Sequence, residues 1–151
     1  MEKMEVEEVK ILVGYDGSDS SKKAIEKAKE LTSTCKVFEI MIAHVHEREG
    51  LEISPYYNAI DLMKLDAVRD EVFGAEMEEL KKAAEEFDTG TVETKVLEGD
   101  PAKVLADYAK DEGYDLIIVG SRGLSGIKKW IPGSVSSNIV NNCCVSVMVV
   151  K

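Results

Sequence analysis

Glycines and a serine near the C-terminus are spaced as in a loop that binds a phosphate chain. Gly120 and Gly123 bracket a short turn after an apolar run, and after nine intervening residues Gly133 and Ser134 follow, before a predicted helix. Glycine allows positive φ and a close approach of the backbone to a ligand. The N–H groups at a helix start attract anions. The pattern predicts a phosphate site, with plain turns as the alternative. Arg122 is either a phosphate contact or a solvated charge.

The elements that would position this site alternate regularly along the chain. Apolar runs predict five strands, at residues 9–14, 37–45, 92–97, 116–119 and 145–150. Amphipathic stretches predict four helices, at residues 20–32, 60–87, 100–113 and 134–142. Continuous β-branched runs are typical of strands that are buried on both faces of a parallel sheet. With right-handed crossovers, this order predicts an α/β fold: a doubly wound, five-stranded parallel sheet with helices on both faces, as in Rossmann-like proteins.

Polar residues after the first two predicted strands are further candidates, because ligands bind beyond the carboxyl ends of such strands. Asp16 could contact a ligand or bond to its own backbone in a turn. Ser18 is predicted to cap the first helix. His44 and His46 share one side of a strand end. No third ligand stands at a usual spacing from them, so a metal site is not expected there.

Length and charge limit the classes of partner. The 151 residues fit a single domain over 1–151, and Asp100 with Pro101 is a typical helix start. A formal charge of −10 argues against nucleic acid or an anionic membrane as the main partner. No apolar run has membrane-spanning length and no signal-peptide core is present, so we expect a cytoplasmic protein. The three cysteines form no disulfide pattern and are interpreted as buried small residues.

In combination these segments resemble the universal stress protein family. Residues 120–134 resemble its ATP-binding signature, Gly-x-x-Gly-x9-Gly-Ser. Residues 11–18 resemble its first strand and Asp-Gly-Ser turn, residues 43–45 the end of its second strand, and residues 114–120 the strand that enters the signature. The resemblance implies an adenine nucleotide alpha hydrolase-like fold that binds ATP, with Mg²⁺ or Mn²⁺. Gly14 and Ser146 depart from the family pattern, which often has proline at both positions.

The resemblance also implies roles for individual residues. Asp16 would contact the ribose or a phosphate-bound metal, and Val45 would contact adenine through its backbone. Val119 and Gly120 would flank the ribose. Residues that would line the phosphates are Gly123, Gly133, Ser134 and Val135, with Arg122 as an additional candidate. Many family members dimerise through the last strand, and an apolar edge strand invites pairing, so we expect a homodimer.

Three functions follow, in order of preference. The first is a nucleotide-dependent regulatory protein of the stress response. The second is a slow ATPase or an adenylyl-transferring enzyme. Efficient hydrolysis needs a base or a water-positioning group beside the γ-phosphate, and besides Asp16 the sequence offers little near the glycines, so no catalytic residue is assigned. The third is a dimeric interaction module without a ligand, which the intact glycine pattern opposes. ADP and AMP are alternatives to ATP as the resident ligand.

Overall fold

A computed structural model describes residues 8–34, 36–47, 59–88, 91–122 and 134–151. Within these ranges the strands are β1 Val9–Gly14, β2 Val37–His46, β3 Thr91–Glu98, β4 Leu116–Gly120 and β5 Ser146–Val150. The helices are α1 Asp19–Thr34, α2 Ala59–Ala84, α3 Pro101–Asp111 and α4 Ser134–Asn142. The type and order of every predicted element are confirmed, and the boundaries differ by at most three residues.

The five strands form one parallel sheet with the order β3-β2-β1-β4-β5. β1 pairs with β2 on one side and with β4 on the other. The chain therefore builds the sheet outward in one direction from β1 and then in the opposite direction from β4. This reversal leaves a crevice at the carboxyl ends of β1 and β4, where doubly wound proteins bind ligands. The predicted fold class is confirmed.

Two apolar cores, one on each face of the sheet, hold the helices in place. One core joins α1 and α2 to the sheet, with Ala24, Ile25, Ala28, Leu80 and Ala83 packed on Ile11, Val13, Ile40, Ile42 and Ile118. The other joins α3 and α4 to the sheet, with Ala102, Leu105, Ala109 and Ile139 packed on Leu12, Met41, Ala43, Val45, Ile117 and Val119. Neighbouring residues of a strand point to opposite faces. The central strands thus contribute to both cores and are continuously apolar over residues 11–13, 40–43 and 116–119.

Side-chain caps fix the starts of α1 and α3. Ser18 Oγ accepts the N–H of Ser21 at 3.2 Å, and Asp100 Oδ1 accepts the N–H of Lys103 at 3.0 Å. Each acceptor satisfies a backbone donor of the first helical turn that has no partner within its helix. Pro101 lies in the first turn of α3, where its missing N–H costs no helical bond. The capping roles predicted for Ser18 and Asp100 are confirmed.

α2 packs on the sheet mainly through its C-terminal half. Leu80 and Ala83 are buried, whereas Ile60, Met63 and Val68 are more than half exposed. None of the helices in the described ranges, α2 included, is long and apolar enough to cross a membrane.

The prediction that the cysteines are buried is wrong for Cys144. Cys143 is partly buried and packs against the core on the α3 side. Cys144 is exposed because it lies in the bend between α4 and β5, outside both elements. Cys35 lies outside the described residues.

Candidate functional site

Two loops meet at the crevice between β1 and β4. The hydroxyls of Ser18 and Ser20 both donate to the carbonyl oxygen of Arg122, from Ser18 at 3.1 Å. The N–H of Arg122 donates to Ser20 Oγ at 3.1 Å. These bonds join the start of α1 to the segment that leaves β4. They bring the loop that carries Asp16 to the side of Gly120 and Arg122.

Gly120 makes room for the first turn of α1. A Cβ atom built on Gly120 would lie 2.5 Å from Ser20 Oγ, 2.6 Å from the Ser20 carbonyl carbon and 2.7 Å from Ser21 N. Two of these atoms belong to the backbone, so a side chain here would displace the helix. In the loop after β1, Gly17 has a positive φ, at 79°. Sequence reasoning missed this reason for Gly120, because the contact joins segments 100 residues apart in the chain.

Asp16 forms a turn with its own backbone. Its Oδ1 accepts the N–H of Ser18 at 2.9 Å, and its N–H donates to Ser21 Oγ at 3.4 Å. An aspartate that bonds two residues ahead is typical of an Asx turn, and the positive φ of Gly17 continues it. The turn that the sequence offered as one alternative for Asp16 is therefore present. It fixes the Asp16 carboxylate at the crevice.

Val45 and Val119 lie on the α3 side of the sheet, at the ends of β2 and β4. Both side chains are buried in one core with Leu105. Gly14, at the end of β1 between these strands, leaves little space, since an added Cβ would lie 3.0 Å from Val119 Cγ1 and 3.1 Å from Leu105 Cδ1. Because these side chains are used in packing, a ligand here would meet the backbone of Val45 and Val119.

The predicted phosphate segment is described in part. Gly123 and Gly133 lie outside the described residues. The chain is described again from Ser134, the first residue of α4, and Val135 packs on the core of the α3 side. Since α4 leads from the carboxyl end of β4 back to the amino end of β5, its N-terminus faces the edge with the crevice. Arg122 is exposed at that edge.

Acidic side chains lie near the phenol of Tyr15, the first residue after β1. Burial raises the pKa of Tyr15, and the charges of Glu79, Glu86 and Asp16 raise it further. The phenol is therefore neutral at physiological pH. An anionic ligand in the crevice would need compensating positive charge or N–H dipoles from the β4 and α4 side.

A cluster of His44, His46 and Glu76 lies on the same edge, and sequence reasoning missed its third member. Glu76 Oε1 lies 3.2 Å from His44 Nε2 and 3.0 Å from His46 Nδ1. Glu76 belongs to α2, and no spacing in the sequence relates it to the histidines. Among the described residues, no group of three or more His, Cys, Asp or Glu side chains is placed to hold a metal ion.

Comparison with known proteins gives one consistent result. Residues 9–151 match the model of the universal stress protein family. The chain is 32% identical over 146 residues to universal stress protein YxiE of Bacillus subtilis, a match that covers 94% of this chain and 98% of the relative. Sequence identity at this level, over nearly the whole of both chains, shows that the two proteins are related.

Solved structures show the same fold. Universal stress protein UspA from Lactobacillus plantarum superposes with a TM-score of 0.74 at 23% identity, over 95% of this chain and 97% of that chain. A universal stress protein family protein from Arabidopsis thaliana, solved with AMP bound, superposes with a TM-score of 0.63 at 25% identity, over 95% and 91% of the two chains.

Proposed function

The chain belongs to the universal stress protein family, and we propose that it binds an adenine nucleotide, ATP with Mg²⁺ or Mn²⁺, as a cytoplasmic, nucleotide-dependent regulatory protein of the stress response. The observation that carries the proposal is the junction at the crevice, where Ser18 and Ser20 bond to the backbone of Arg122. This junction lies at the point of the sheet where ligands bind in this fold class. The AMP-bound relative from Arabidopsis thaliana supports an adenine nucleotide.

The nucleoside would lie across the ends of β2, β1 and β4. Adenine would contact the backbone of Val45, and the ribose would lie between Asp16 and the backbone of Val119 and Gly120. The burial of the Val45 and Val119 side chains supports backbone contacts at both positions. The Asx turn supports the role of Asp16, because it holds the carboxylate at the crevice.

The phosphates would lie between the end of β4 and the start of α4. The residues assigned to them are Arg122, Gly123, Gly133, Ser134 and Val135. The first N–H groups of α4 have no helical acceptors and favour an anion. Asp16 is the candidate carboxylate for a divalent cation on the phosphates, because carboxylate oxygens are ligands that Mg²⁺ accepts.

Nucleotide identification and titration test this proposal. Freshly purified protein is denatured and any released nucleotide is identified, and the stripped protein is then titrated with ATP and Mg²⁺ by calorimetry. Arg122→Ala should weaken ATP binding by about tenfold, as expected for loss of a charged hydrogen bond. Lys110→Ala, an exposed cation in the last turn of α3, is the matched control and should leave affinity unchanged. Gly133→Val should abolish binding while unfolding stays cooperative.

The result that overturns the proposal is the absence of any nucleotide. If nothing is released and ATP, ADP and AMP all fail to bind the wild-type chain, the crevice is a structural junction. Equal losses in Arg122→Ala and Lys110→Ala would remove Arg122 from the site but leave nucleotide binding in place.

The proposal includes a homodimer formed through β5. In the described sheet β5 is an edge strand that pairs with β4 alone, and Val149 on it is an exposed apolar residue. Exposed apolar edges pair with a second strand unless a charge blocks them. Val149→Lys should therefore give a monomer in analytical ultracentrifugation, whereas Val140→Lys, an equally apolar exposed site on α4, should stay dimeric. A monomeric wild-type chain at micromolar concentration would refute the dimer.

A further inference from the structure

A histidine at the end of β2 contacts the loop that carries Asp16. His44 Nδ1 lies 2.9 Å from the carbonyl oxygen of Tyr15. A carbonyl oxygen only accepts hydrogen bonds, so Nδ1 carries the proton in this contact. The acceptor belongs to the peptide unit whose N–H is that of Asp16. His44 therefore holds the peptide unit that sets the direction in which the chain leaves β1.

The other ring nitrogen of His44 faces α2. His44 Nε2 lies 3.2 Å from Glu76 Oε1, and the two side chains are 20% and 21% exposed. His44 Nε2 is thus within ion-pair distance of Glu76 Oε1, which is hydrogen-bonded to His46 Nδ1. Glu76 Oε2 is buried with no hydrogen-bond partner in the described part of the chain. Oε1 therefore makes the contacts to both His44 and His46.

Further contacts tie the same stretch of α2 to the ends of β2 and β3. The ring of Phe73 packs edge-on against His46, with centroids 4.9 Å apart. Arg69 lies over the Phe73 ring and donates to Glu98 Oε2 at 2.7 Å. Two successive turns of α2 therefore contact the ends of β2 and β3. A shift of α2 would move Glu76 and act on His44.

We propose that His44 is a positioning residue of the nucleotide site, which together with Glu76 holds the Tyr15–Asp16 peptide in the binding geometry and couples it to α2. The inference rests on the proposed function, in which Asp16 contacts the ligand. The Tyr15 N–H already donates to the Ala43 carbonyl at 2.9 Å, so β1 itself is fixed up to Tyr15. The bond from His44 acts on the next peptide, at the point where the loop begins. Losing it lowers the population of the binding-competent loop by up to about tenfold.

Two substitutions at one position separate the two contacts of His44. His44→Asn places an amide nitrogen near the position of Nδ1 and keeps a donor to Tyr15. His44→Gln places its amide near the position of Nε2, which keeps the contact to Glu76 and loses the donor to Tyr15. Calorimetry with ATP and Mg²⁺ should give about tenfold weaker binding for His44→Gln and a change below about twofold for His44→Asn. Glu76→Ala, which releases His44 from α2, should weaken binding by about threefold.

A second readout needs no nucleotide. Amide hydrogen exchange at Asp16, Gly17 and Ser18, followed by NMR on the ligand-free protein, should be faster in His44→Gln than in His44→Asn. If the wild-type chain binds no nucleotide, the proposed function fails, and exchange still tests the contact. Equal ATP affinities and equal exchange rates in the two His44 variants would overturn the positioning role. So would losses of affinity that merely parallel a loss of overall stability, measured as the melting temperature of each variant. Unchanged affinity in Glu76→Ala would overturn the coupling to α2.

Discussion

Gly120→Ala tests the junction between α1 and β4. The added Cβ would lie 2.6 Å from the Ser20 carbonyl carbon and 2.7 Å from Ser21 N. Neither backbone atom can rotate away, so the start of α1 must move, and overpacking of this kind costs about 1–3 kcal/mol. The movement also weakens the bonds from Ser18 and Ser20 to Arg122, which contribute about 1 kcal/mol each. We expect the free energy of unfolding to fall by about 3 kcal/mol, or roughly 6–12 °C in Tm for a chain of this length.

Gly74→Ala is the matched control, since it adds the same methyl group at a glycine with open surroundings. A Cβ on Gly74 would meet no heavy atom within 4 Å, and Gly74 lies inside α2. Alanine is favoured over glycine in a helix interior by about 1 kcal/mol. Urea and thermal unfolding, followed by circular dichroism, should therefore show Gly120→Ala destabilised and Gly74→Ala slightly stabilised. A Gly120→Ala variant as stable as the wild type would refute the inferred packing of α1 on Gly120.

Three other substitutions test the cap, the core and the buried phenol. Asp100→Ala should lower the free energy of unfolding by about 1 kcal/mol through loss of the α3 cap; a change within the error of urea denaturation would contradict this. Leu80→Ala should cost about 2–5 kcal/mol because Leu80 is fully buried, while the exposed Val68→Ala should cost under about 0.5 kcal/mol in the same melts. Burial and the hydrogen bond from the Tyr114 hydroxyl to Glu39 at 2.5 Å raise the pKa of Tyr114. The protonated Tyr114 hydroxyl therefore contributes its full stabilisation below about pH 10, and this contribution is lost as the pH rises further. The free energy of unfolding of Tyr114→Phe should fall less steeply with alkaline pH than that of the wild type. An equal slope in both proteins would contradict the raised pKa of Tyr114.

The strands and helices were predictable because each central strand serves both cores. Leu12 faces α3, while its neighbours Ile11 and Val13 face α1 and α2. Because both faces are buried, residues 11–13 are all apolar. The end of α2 was less predictable. The helix ends at Ala84, yet Phe87 still packs on the core from the turn beyond it. Its apolar side chain continues the helical pattern past the helix.

Contacts between distant segments could not be predicted from the sequence. The position of Glu76 beside His46, 30 residues earlier in the chain, depends on where α2 crosses the sheet. The need for glycine at 120 depends on the approach of Ser20. Sequence reasoning predicted the glycine from the pattern of a phosphate loop, and the structure adds a packing reason for the same residue. A pattern of residue types predicts which loops face the crevice, whereas the partner of each side chain follows only from the register of the packed elements.

The described walls of the crevice are held by the protein's own hydrogen bonds. Ser18 and Ser20 fix the Arg122 backbone, and Asp16 fixes Ser18. His44 fixes the Tyr15 carbonyl from the other side. A ligand that enters between walls already in place loses little free energy to ordering them. The same bonds join the start of α1 to the segment after β4 and the end of β2 to the loop after β1, so the residues that shape the crevice also contribute to folding. Substitutions at the junction should therefore be judged on affinity and stability together, because a loss of affinity alone would not distinguish a ligand contact from a displaced wall.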